Sequence, residues 1–108
     1  MLAYTFEWTD GEKPVLKAVF QDSSNSALNT FLLGEVRNFG DEIEQGLLSV
    51  INGEAGVCSF SGNVISLTAD SELAVLDDDI LEKRLLELST EDLFRLVRDY
   101  RCELNHKD

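Results

Sequence analysis

The chain has 108 residues, with 21 acidic against 9 basic side chains and a formal net charge of −12. That length supports one domain, and 44% hydrophobic with 8% aromatic residues predicts a packed core rather than a disordered chain. The acidity sets the electrostatic term against binding DNA, RNA or anionic membranes. No apolar run approaches the roughly 18 residues of a membrane span, and the opening MLAYTFEWTDGEK has no basic n-region, so the expected location is the cytoplasm.

In chain order, Leu2, Tyr4, Phe6 and Trp8 alternate with Ala3, Thr5 and Glu7, a period of two that predicts a half-buried strand. Asp10-Gly11 is a turn signal, and a second apolar run from Val15 to Phe20 completes an antiparallel hairpin over residues 2–20. Pro14 stands at the mouth of that run, where a missing N–H is tolerated at a strand end or edge. QDSSNS at 21–26 predicts a loop. ALNTFLL at 27–33 fits either a short helix or a strand, and Gly34 and Asn38-Phe39-Gly40 punctuate the chain after it.

Asp41-Glu42-Ile43-Glu44 reads as a helix start, with Asp41 as cap and Glu44 as the reciprocal half of a capping box. Ile43, Leu47, Val50 and Ile51 give that helix one apolar stripe, and Asn52-Gly53 ends it. GVCSFS and VISLTA, separated by Gly62-Asn63, predict a second hairpin. Leu73 to Leu76 continues as a short third strand, broken by Asp77-Asp78-Asp79. Ile80 to Leu88 fits a strand or a helical turn. Ser89 caps a final helix whose buried face is Leu93, Leu96, Val97, Tyr100 and Leu104. The expected class is α+β, an antiparallel sheet of about four to six strands packed against two or three helices.

The charge is unevenly distributed. Ten carboxylates fall between Asp41 and Glu82 with no Lys, Arg or His among them, whereas residues 93–108 hold three acids against Arg95, Arg98, Arg101 and Lys107, a net of +1. Clustered carboxylates steer a cationic partner and raise its association rate. The first-choice binding surface is therefore Asp70, Glu72, Asp77, Asp78, Asp79 and Glu82, with Asp41, Glu42 and Glu44 second.

Other chemistry is poorly supported. The single histidine, His106, lies third from the C-terminus, and no arrangement of nucleophile, base and orienting acid accompanies it. Cys58 and Cys102 read as free thiols with no Cys/His cluster for zinc. The run from Asp70 to Glu82 lacks the sixth-position glycine of an EF-hand, and no phosphate-cradling glycine motif is present. No enzymatic activity and no cofactor are expected.

The words DEIEQGLLSVINGEAGVCSFSGNVISLTAD and STEDLFRLVRDY, a helix, ING, an FSGN hairpin, an acidic strand end and a capped last helix, resemble small bacterial immunity proteins of contact-dependent growth inhibition and related polymorphic-toxin systems. The resemblance implies one immunity-protein-like domain over residues 1–108. It also implies a cytoplasmic protein that neutralises a cognate toxin domain in a 1:1 complex; the charge argument adds that neither nucleic acid nor membrane is a partner. Joined to the charge argument, the expected partner is a cationic nuclease toxin domain, first of all a ribonuclease, occluded by the acidic surface. The alternatives are an acidic adaptor for another basic partner and a weak divalent-metal-binding domain using Asp77 and Asp79.

Overall fold

The computed structural model describes residues 2–106. Strands β1 (Tyr4–Trp8) and β2 (Leu16–Phe20) pair antiparallel, with Tyr4 opposite Phe20 and Trp8 opposite Leu16. Between them lies a longer loop rather than a tight Asp10-Gly11 turn: the Thr9 N–H donates to Val15 O at 2.9 Å and Gly11 takes a φ of 120°. Asp22 caps a 3-10 turn over Ser23–Ala27 through the Ser24 N–H, so QDSSNS is partly ordered by its own side chains.

The ambiguous segment is helical; the punctuation predicted at Gly34 does not interrupt it, whereas that predicted at Asn38-Phe39-Gly40 coincides with a kink at Phe39. Helix α1 (Leu28–Phe31) continues through a π-helical turn, Leu32–Val36, into α2 (Arg37–Ile51), which is kinked at Phe39, where φ of −129° and ψ of 26° leave helical geometry and separate a short first turn from the helix that follows. Leu28, Phe31, Leu32 and Val36 are buried, spaced as the inward stripe of a helix; packing of that stripe outweighs the cost of Gly34. Asp41, two residues past the kink, nevertheless accepts no capping N–H. It stands at the start of the run that follows the kink, and Glu44 reaches Arg101 Nη1 at 2.9 Å instead of closing a capping box. The far end follows expectation: Asn52 closes α2 and Gly53 adopts a φ of 77°, the left-handed geometry glycine supplies without strain.

Strands β3 (Cys58–Ser61), β4 (Ile65–Ala69), β5 (Leu73–Asp78) and β6 (Lys83–Ser89) form a second antiparallel sheet in that order. The fold is α+β as expected: among the described residues the strands form this four-stranded antiparallel sheet and, apart from it, the two-stranded β1–β2 hairpin. Asp77-Asp78 does not break the third strand. β5 runs through both, with an irregularity between Leu76 and Asp77 that re-registers Asp77 against Arg84 and Asp78 against Lys83. Helix α3 (Thr90–Asn105) begins directly after β6, where Ser89 Oγ accepts the Asp92 N–H at 3.0 Å.

Alternation gives the four-stranded sheet a buried face, including Ile65, Leu67, Ala69, Ala74 and Leu76, and a solvent face bearing Ser59, Thr68 and Glu87. The buried face joins Leu93, Leu96, Val97 and Tyr100 of α3 and Leu16, Ala18 and Phe20 of the hairpin in one core. Two polar contacts seal the outer edge of β2. Asn29 exchanges both amide bonds with Ala18 at 2.8 Å, as a third strand would, and Tyr100 Oη donates to Leu16 O at 2.8 Å.

Candidate functional site

The topology separates the first-choice carboxylates. Asp70 and Glu72 precede β5 and Asp77 to Glu82 follow it, so the two groups sit at opposite ends of a strand whose five steps span about 17 Å. At the first end, Asp70 Oδ1 accepts the N–H groups of Glu72 and Leu73, both at 2.8 Å. Those bonds, Leu73's above all, hold its carboxyl below the usual carboxylate range. The Asp70 carbonyl accepts from Thr90 Oγ1 and the Glu72 carbonyl from the Thr90 N–H, which fastens this turn to the start of α3. The Glu72 side chain is exposed.

At the other end the three aspartates build the β5–β6 turn. Asp77 pairs with Arg84 at 3.3 Å. Asp78 Oδ1 accepts the N–H groups of Ile80 and Leu81, both at 2.9 Å. Asp79 donates its N–H to Val64 O at 2.8 Å and accepts from Ser66 Oγ. Glu82 completes the turn at a φ of 53°, the one positive-φ non-glycine among the described residues, a left-handed conformation that costs a side-chain-bearing residue free energy. Lys83 and Arg84 stand just past the base-free stretch, opposite Asp78 and Asp77, so this end is less negative than its run of aspartates suggests. A shallow open groove of about 370 Å³ lies among Asp77, Asp78, Asp79, Glu82, Lys83 and Arg84.

The second-choice acids face elsewhere. Arg101 of α3 reaches Asp41 at 3.7 Å and Glu44 at 2.9 Å, crossing α2 over Gly40, where a Cβ would meet Arg101 Cδ at 2.8 Å. Glu42 points to solvent. The nine acids therefore make three separate groups rather than one patch. Among the described residues, no three His, Cys, Asp or Glu side chains converge to hold a metal ion; the aspartates of the β5–β6 turn are each directed at a different donor.

Two features escaped the sequence reading. Glu35, in the π-turn, is fully buried, and its carboxylate accepts three backbone N–H groups from the β3–β4 turn, those of Asn63, Val64 and Ile65, each at 2.9 Å. Gly62 makes room for it, since a Cβ there would lie 2.2 Å from Glu35 Oε1. The signal was present: Leu28, Phe31, Leu32, Glu35 and Val36 occupy one helical stripe, and an acid in an apolar stripe needs several donors. The second is Ile80-Leu81, exposed at 69% and 62% on the tip of the β5–β6 turn.

The balance of pairing is informative. Lys17, Arg84, Arg95, Arg98 and Arg101 are all engaged in ion pairs. Asp10, Glu12, Glu42, Glu54, Glu72, Glu82, Glu91 and Glu103 are exposed, and their side chains hold no hydrogen bond or ion pair among the described residues. No described helix is long and apolar enough to cross a membrane. Comparison with protein-family models, curated proteins and solved structures yields no match.

Proposed function

We propose that this chain is a non-enzymatic inhibitor of the immunity type, which binds one cationic nuclease toxin domain, a ribonuclease in the first instance, and occludes its active site in a 1:1 complex in the cytoplasm. The observation that carries the reading is the excess of unpaired acid: among the described residues eight exposed carboxylates hold no partner, Glu42, Glu72 and Glu82 of the expected site among them, while five bases are committed to ion pairs. Such a surface repels itself, and a cationic cleft relieves the repulsion while being steered toward it. A carboxylate array also offers the same acceptors as a phosphate backbone, so it competes for a nucleic-acid cleft by like chemistry.

Within this reading the site residues divide by role. Glu42, Glu72 and Glu82 supply unpaired charge. Asp70, Asp77, Asp78 and Asp79 each spend one carboxylate oxygen on a contact within the chain; the second oxygen is left to accept from a partner's Lys or Arg, already oriented. Asp41 and Glu44, tied to Arg101, contribute field rather than contact. Pre-orientation lowers the entropy lost on binding.

The test is a calorimetric titration with the polypeptide encoded by the gene immediately upstream, at low and high salt. Stoichiometric binding that weakens as salt rises supports the proposal. No binding rejects it, and binding that leaves RNA and DNA digestion untouched points instead to an acidic adaptor for a different basic partner.

A further inference from the structure

We infer that Ile80 and Leu81 are the apolar anchor of this surface, inserting into an apolar pocket floored within the partner's basic cleft; the inference rests on the inhibitor reading above. Nothing in folding explains the pair. Turn positions favour Gly, Asn, Asp and Ser for their backbone geometry and local hydrogen bonds, yet here two consecutive aliphatics occupy the tip and contribute nothing to the core, with exposures of 69% and 62%. Single exposed aliphatics are ordinary, but these are adjacent and immobilised.

Asp78 fixes both of their N–H groups, Asp79 ties the turn to Val64 and Ser66 of the neighbouring hairpin, and the N–H of Val64 is itself held by buried Glu35. The tip is thus connected to the core through a chain of hydrogen bonds, and a rigid anchor loses little freedom on docking. Charge specifies the occupant. Asp77, Asp78, Asp79 and Glu82 flank the pair along the turn and outnumber Lys83 and Arg84, of which Arg84 is already paired with Asp77 and Glu87, so the receiving pocket has a cationic rim. A second copy of this chain, itself at −12, has the wrong sign. Desolvated charge pairs return little net affinity, which leaves the affinity to the apolar centre and the partner selection to the rim.

The experiment compares the intact chain with the Ile80→Ser/Leu81→Ser variant in calorimetric and kinetic titrations against the upstream gene product. Val57→Ser, which alters an aliphatic exposed at 59% beyond the other end of the sheet, is the control. The inference expects the double variant to melt as the parent does and to bind about 10- to 100-fold more weakly, chiefly through faster dissociation, while Val57→Ser changes nothing. Tight binding by the parent with less than twofold loss in the double variant overturns the anchor and leaves the inhibitor reading standing. Absence of binding by the parent overturns that reading and the anchor with it. A parent dimer in sedimentation that the double variant abolishes assigns the tip to a second copy and overturns the inference.

Discussion

Glu35→Gln isolates the interaction on which the β3–β4 turn depends. The substitution keeps volume and shape, so no cavity forms, but it replaces two acceptor oxygens by one oxygen and one NH2 group. In the native chain Oε2 accepts from Val64 and Ile65 and Oε1 from Asn63. A glutamine that places its carbonyl toward Val64 and Ile65 turns its NH2 against the Asn63 N–H, donor facing donor, and the reverse orientation is worse by one bond. The remaining bonds also lose the strengthening of an ionised acceptor. One lost charge-assisted bond is worth roughly 1.5–3 kcal/mol, so Glu35→Gln should cost about 2 kcal/mol. Glu35→Ala adds an empty site and should cost about 3–5 kcal/mol. Urea unfolding followed by circular dichroism reads this directly: with a slope of about 1–3 kcal/mol per molar, the glutamine variant should shift the midpoint by roughly 1 M without changing the slope. A loss below about 0.5 kcal/mol would refute the claim that the carboxylate holds the turn.

Gly62→Ala places a methyl group 2.2 Å from Glu35 Oε1 and should destabilise the chain by about 1–3 kcal/mol; in a Glu35→Ala background most of that penalty should vanish, and a double-mutant cycle in urea measures the coupling. Asn29→Ala removes both bonds to the edge of β2 and should cost about 1–3 kcal/mol, measured by the same unfolding assay; a neutral result would mean water replaces the amide. The only two tyrosines, Tyr4 and Tyr100, are each pushed up to about 12, in both cases first by burial and for Tyr4 also by its bond to Asp99. A group whose folded pKa exceeds its ordinary 10 gives stability that is whole below pH 10 and is lost as pH rises toward 12. Tyrosinate absorbance should therefore appear above pH 10 in the folded chain, later than in the urea-unfolded chain, with the melting temperature falling over the same interval; coincident titrations would contradict the burial.

The parts of the fold that could be read from the residues were those where a local signal and the global packing agree. Ser89 capping α3, the alternating β1 and β4, and the stripe Leu93, Leu96, Val97, Tyr100 all satisfy the same pattern locally and in the core. Reading failed where tertiary packing overrode a strong local signal. Gly34 looks like a helix end, yet the buried stripe from Leu28 to Val36 carries the helix past it; the signal at Asn38-Phe39-Gly40 survives as the kink at Phe39. Asp41 looks like a cap because it follows that kink, but its carboxylate faces Arg101 of α3 rather than the N–H groups of its own helix. The run Asp77-Asp78-Asp79 looks like a strand breaker and a free acidic surface. Yet β5 runs through Asp78, and the acids are partly committed within the chain, because β6 brings Arg84 opposite Asp77 and because Asp78 satisfies the turn's own N–H groups.

The same cause limited the candidate site. Composition locates negative charge along the chain but not its pairing, and pairing depends on strand register. The separation of Asp70 and Glu72 from the β5–β6 turn follows from counting residues along β5, once that strand is known to extend through Asp78. Glu35 was legible in principle as an acid in an apolar stripe; its donors, 28 to 30 residues downstream, were not.

The most direct test of the account is to incubate the upstream gene product with RNA and with DNA while adding this chain up to and beyond one equivalent. The account predicts that the product degrades one of the two nucleic acids, that digestion stops at one equivalent, and that a Glu72→Lys/Glu82→Lys variant needs a clear excess to reach the same protection. Digestion that continues unchanged at several equivalents would contradict it.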